Sequence, residues 1–152
     1  MSDSYRSNLI KNIEENLHDF QSILNPDVVY QEPREELPQV NLMEFLQTVT
    51  AVEEDVLEMR LKKIIERENP YLPAIHVDRL KQQELKNQKS LHKLIDKFLH
   101  QKKEIIKFLY NVPAFYWDRT GFHELEGHVT FEEFIRRMIR NDKLNLTLQT
   151  IQ

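Results

Sequence analysis

The stretch FEEFIRRMIRNDKLNLTLQ, residues 131–149, puts amides where a helix should be apolar. Apolar residues recur at Phe131, Phe134 and Met138 and again at Leu148, and the same stripe passes through Asn141 and Asn145, four residues apart. That spacing brings both amides to the inward face of one helix. Each amide donates and accepts hydrogen bonds, and left buried and unpaired each would cost about 1–3 kcal/mol. The pair therefore predicts a hydrogen-bonded polar plug or a small polar pocket, with Asp142 beside it.

Other chemistry has thinner support. A ferritin-like di-metal site needs a Glu-x-x-His on each of two helices, and the chain has one, Glu15 to His18. HELEGH sets His123 and His128 five residues apart, not at the one-turn spacing of a helical zinc motif, so a polar loop is the plainer reading. There is no cysteine, hence no thiolate ligand, disulfide or Cys nucleophile. No Gly-x-Ser-x-Gly elbow is present, and Gly121 and Gly127 do not form a phosphate-cradling loop. Glu53, Glu54, Asp55 and Glu58 crowd a helix surface and do not face one another across a cleft, so no catalytic residue is assigned. Lys86, Lys89, Lys93, Lys97, His100, Lys103 and Lys107 form a basic stripe. It reads as a solvated face, paired in part with those carboxylates. As a docking surface it would predict salt-sensitive binding to an anionic partner. No aromatics interleave with the lysines and net charge is -4, so no nucleic acid is expected as partner.

The elements that must position these residues are cut by Pro26 to Pro38, Asn69 to Pro73 and Pro113 to Gly127. Four helices remain. The first spans 3–24 with Tyr5, Leu9, Ile13, Leu17, Phe20 and Leu24 inward, and ends at Asn25-Pro26. The second starts at a capping box, Asn41 to Glu44, and turns Leu42, Phe45, Val49, Val52, Val56 and Met59 inward. The third spans 78–111 with Leu91, Leu94, Ile95, Phe98, Ile105 and Leu109 inward. The fourth starts at a second box, Thr130 to Glu133. No window alternates with the period of a strand. With 152 residues, 40% apolar and 30% charged, the simplest fold class is all-α, a four-helix bundle. No run of about 18 apolar residues suggests a membrane span and no N-terminal signal is visible, so a cytoplasmic location without membrane contact is expected.

Two segments carry a family resemblance. YWDRTGFHELEGHVTFEEFIRRMIRNDKLNL has a Trp-x-Arg at Trp117 and Arg119, then a His- and Gly-containing loop and a final helix; NLMEFLQTVTAVEEDVLEMRLKKIIERENPYLPAI is a second helix with an Asn-Pro-x-x-Pro exit. Together, from Val40 to Leu148, they resemble the DinB/YfiT-like superfamily of small four-helix bundles. The resemblance implies a divalent metal held by one histidine of the second helix and two of the last. Some such proteins are thiol S-transferases, including bacillithiol and mycothiol types. The damage-inducible name describes regulation and suggests a stress-response setting. Carried over residue by residue, the ligands fall at Thr48, Asn141 and Asn145, with Asp142 as acidic neighbour, and none is histidine. Amide and hydroxyl oxygens are weak ligands for zinc or nickel. Magnesium or calcium on Asp142 with the amides would be held weakly.

The expectation is thus one DinB-like helical-bundle domain over residues 1–152, with a degenerate metal site, no metal, no cofactor and no catalysis. Its ligand pocket would be Thr48, Asn141, Asn145 and Asp142, plugged or open to a small-molecule ligand. With the metal triad lost, a protein-interaction role is the other expectation, and the resemblance implies a homodimer. The rival is a divergent metal-dependent thiol S-transferase or hydrolase with new ligands at His123, Glu126 and His128. That reading gains if both histidines enter a pocket shared with Asn141 and Asn145, and falls if they face solvent.

Overall fold

The computed structural model describes residues 1–24, 36–85 and 90–150. Helix α1 (Asp3–Ile23) starts where the Ser2 hydroxyl accepts the Tyr5 N–H at 3.2 Å. Helix α2 (Glu36–Asp55) runs without a break through a π-helical turn at Val56–Leu61 into α3 (Lys62–Glu66). After β1 (Tyr71–Leu72) come α4 (Val77–Leu85) and α5 (Leu91–Tyr110). A 3-10 turn (Ala114–Asp118) leads to β2 (Thr120–His123), β3 (Gly127–Thr130) and α6 (Phe131–Thr150). Helix α1 packs on α5 and α6, and α2 packs on α5 and on the short α4. The four long helices make a bundle, the architecture expected from their amphipathic stripes.

Several boundaries depart from expectation. Asn41 does not cap the second helix, which already begins at Glu36. The expected third helix is two helices, the second restarted by Ser90, whose hydroxyl accepts the Lys93 N–H at 3.3 Å. At α6, Thr130 accepts the Glu133 N–H at 3.1 Å. The Glu133 carboxylate turns instead to Arg137 and Arg140, so half of that capping box forms. The Asn25-Pro26 stop lies outside the described residues.

A small sheet also stands where a polar loop was expected. Its order is β1-β2-β3, β1 parallel and β2–β3 antiparallel. The strands are too short to show a period of two. Tertiary contacts hold them: a Cβ on Gly121 would lie 2.4 Å from Leu72 Cδ1. Gly127 supplies φ +79, which closes the hairpin at little cost only without a side chain. Trp117 is fully buried and stacks at an angle on Phe131, ring centroids 5.3 Å apart.

The apolar core falls into two clusters. One gathers Ile10, Ile13, Leu61, Ile64, Trp117 and Phe131. The other gathers Phe20, Leu24, Leu46, Phe98 and Leu146. Buried polar residues interrupt all four helices between these clusters: Asn16 on α1, Glu53 on α2, Lys102 on α5 and Asp142 on α6.

Candidate functional site

Lys102 centres that polar layer. Its ammonium is fully buried, lies 2.6 Å from both Asp142 carboxylate oxygens and also donates to Glu53 Oε1. It sits 5.8 Å and 5.6 Å from the ring centroids of Phe20 and Phe98. Asn16 Nδ2 donates to the Ile139 carbonyl at 3.4 Å and completes the layer. Burial alone would lower the lysine's pKa, but the two carboxylates override it and hold the ammonium form. Burial pushes Glu53 up to about 7, against the pull of Lys102, with Asp142 adding to the rise. Glu53 Oε2 has no hydrogen-bond partner.

Beside this layer, α2 and α6 part to leave a cavity of about 330 Å³. One end carries Thr48, Asn141 and Asn145, the middle Val49, Val52, Glu53, Val56 and Met138, and the other end Arg60, Ile75, His123, Phe134 and Arg137. On α2 the expected inward residues Val49, Val52 and Val56 therefore line a groove, with Leu46, Thr50, Glu53 and Leu57 packed more deeply, and on α6 Phe134 and Met138 line it too. Asn141 is exposed, a correction to its expected burial, and Asp142 is the buried residue of that turn. No hydrogen bond joins Thr48, Asn141 and Asn145 into a plug among the described residues, and Thr48 Oγ1 is buried without a partner. Asp142 faces Lys102 and does not line the cavity.

The π turn explains Arg60. An N–H bond from Lys62 reaches back five residues to Leu57, which inserts a residue into the turn and rotates the helix beyond it. Met59, expected inward, is 40% exposed, while Arg60 is 2% exposed. Arg60 Nη2 donates to the Pro73 carbonyl, Nε lies 3.5 Å from Asp55 Oδ2, and Nη1 has no partner. Burial pulls its pKa below the ordinary value, and Asp55 offsets part of that. Arg137 differs: Glu126 at 2.8 Å and Glu133 at 3.3 Å engage its guanidinium.

The loop histidines separate. His123 lines the cavity, and its Nδ1 accepts N–H bonds from Leu125 at 3.1 Å and Glu126 at 3.3 Å, which leaves the neutral ring's proton on Nε2. His128 is exposed, packs edge-on to Phe122 and donates from Nδ1 to Asn69 Oδ1 at 3.1 Å. On α5, His92 Nε2 lies 3.4 Å from Asp96 Oδ2 and His100 Nε2 3.9 Å from Glu104 Oε1, so carboxylates interrupt the basic stripe; Lys86 and Lys89 lie outside the described residues.

A divalent cation does not fit this cavity. Among the described residues Thr48, Asn141 and Asn145 offer neutral oxygens and nitrogens, Arg60 and Arg137 share the lining, Lys102 engages Glu53 Oε1, and His123 is the lone imidazole. Among the described residues no three His, Asp or Glu side chains gather as a metal site. No helix among them is long and apolar enough to cross a membrane.

No family model matches the chain, and no curated protein matches it in sequence. In structure it is similar to YfiT from Bacillus subtilis, described as a probable metal-dependent hydrolase with an unusual four-helix bundle topology. The match covers 99% of this chain and 86% of that one, with a TM-score of 0.70 at 11% identity. The chain has the DinB/YfiT-like four-helix bundle fold.

Proposed function

We infer that this protein is a small-ligand-binding module built on a DinB/YfiT-like bundle, with the metal chemistry of such folds replaced by an organic binding groove. The observation that carries this reading is the cavity itself. Thr48, Asn141 and Asn145, which the resemblance places at the metal-ligand positions, all line it, and none offers an imidazole. Its volume of about 330 Å³ suits a small molecule, and its lining mixes apolar walls with a few polar groups. Residues 1–152 form one domain in this reading, and the resemblance further implies a homodimer, which sedimentation equilibrium over a concentration series decides.

The rival metalloenzyme needs both loop histidines in the groove, and only His123 is there. Elemental analysis after incubation with zinc, nickel or manganese and desalting tests the proposal. We expect less than about a tenth of an equivalent of any metal, as weak neutral-oxygen donors lose their ion on desalting. A stoichiometric metal, lost on replacing His123 and His128, would establish the rival instead.

A further inference from the structure

We propose that the groove takes an elongated, mostly apolar monocarboxylate, its carboxylate held at the Arg60 end and its tail lying along Val49, Val52, Val56, Phe134 and Met138. This rests on the binding-module reading and specifies its ligand. The first support is a pattern of unpaired groups. Among the described residues, the buried side-chain polar atoms without a partner are those of Thr48, Thr50, Glu53, Asp55 and Arg60, all on one stretch of α2 and its π turn. Buried polar groups are ordinarily satisfied. Three of these five residues, Thr48, Glu53 and Arg60, line the groove.

Charge then selects the head group. Among the described residues Arg60 is the groove cation with donors to spare: Nη1 is unpartnered and the Asp55 contact of 3.5 Å is too long for a good hydrogen bond. Arg137 is engaged by Glu126 and Glu133, and Lys102 by Glu53 and Asp142. One under-partnered guanidinium matches one carboxylate, the planar anion its fork fits best. A phosphate dianion would bring a second charge towards Asp55, with no further free cation in the groove among the described residues. Shape selects the tail. From Thr48 to Arg60 the helix rises about 18 Å at 1.5 Å per residue, and valines, Phe134 and Met138 line that path.

The test is two-dimensional NMR of the full chain titrated with decanoate, decanol and decylamine. We expect decanoate to give saturable shifts at the Val52, Arg60 and Met138 amides, with affinity at least about ten-fold above decanol, about 1.4 kcal/mol. Decylamine should bind no better than decanol. Arg60→Met should erase the preference while decanol still binds. Val52→Trp, which fills the groove, should remove the shifts of all three; it also serves as the blocking variant if Arg60→Met does not fold. Equal affinity for decanoate and decanol overturns the carboxylate assignment and leaves the binding-module reading in place. Absence of saturable shifts with all three chains overturns the apolar groove as a ligand site, and the metal content after desalting decides the wider proposal separately.

Discussion

The carboxyl group of Glu53 is buried beside a lysine and a second carboxylate, and its proton equilibrium is tied to folding. Its pKa in the folded chain is pushed up to about 7 from an ordinary 4.5, first by burial, so the native state holds a proton that the unfolded chain has released. Where the native state binds more protons, stability falls as pH rises. The contribution of this group is therefore full below 4.5 and is lost as pH climbs through about 7. We expect the urea midpoint to fall between about pH 5 and about pH 8, and Glu53→Gln to flatten that slope, because glutamine has no proton to lose. A slope unchanged in Glu53→Gln would mean another group carries it. Neither Glu53 nor Lys102 was legible as buried. Glu53 reads as part of an acidic surface run, and Lys102 sits among lysines that do face water. A signal for Lys102 existed all the same: the inward series Phe98, Ile105, Leu109 skips a turn, and Lys102 fills the gap.

At the scale of elements, the four long helices, their bundle and the α6 start were legible, because they follow from long amphipathic stripes and a local cap, whereas the break that splits α4 from α5 was not. Stripe direction was legible only in part. Val49, Val52 and Val56, with Phe134, Met138 and Asn145, share a face as expected, yet that face lines a groove. Periodicity reports which residues share a face, and only packing decides whether the face meets a neighbour or a cavity. The π turn was not legible, since it is an inserted residue without a Pro or Gly to mark it, and it moves Arg60 inward and Met59 outward. The polar layer then fixes how α2, α5 and α6 meet. Removing one partner of a buried ion pair leaves uncompensated charge. Lys102→Met should therefore cost about 3–5 kcal/mol in urea unfolding. Adding Glu53→Gln and Asp142→Leu to it should regain most of that loss, since no ionisable group is then left in the layer. A small loss in the single variant would mean that the carboxylates find water or protons instead.

For the whole molecule, the bundle brings Thr48 of α2 to the same cavity as Asn141 and Asn145 of α6, although more than ninety residues separate them in sequence. The pairing of the two amides on one face could be read from their spacing; the third position came only from resemblance, because no local pattern marks a threonine inside a valine-rich helix. If these positions converge closely enough to hold one ion, then Thr48→His with Asn141→His and Asn145→His should build a zinc site. Histidines four apart on a helix present two nitrogens to one ion, and the facing helix would supply a third, leaving an open position. Zinc at about a hundred times its dissociation constant should then stabilise the triple variant by about 2.7 kcal/mol, read as a rise in Tm that a chelator reverses. The parent chain should show no such rise. Arg60, Arg137 and Lys102 oppose a dication in the variant, so adding Arg137→Gln should strengthen zinc binding further. If the triple variant folds and still ignores zinc, the three side chains share a groove without sharing a centre. The likeness to a metal-binding bundle would then extend to the helices and not to the site.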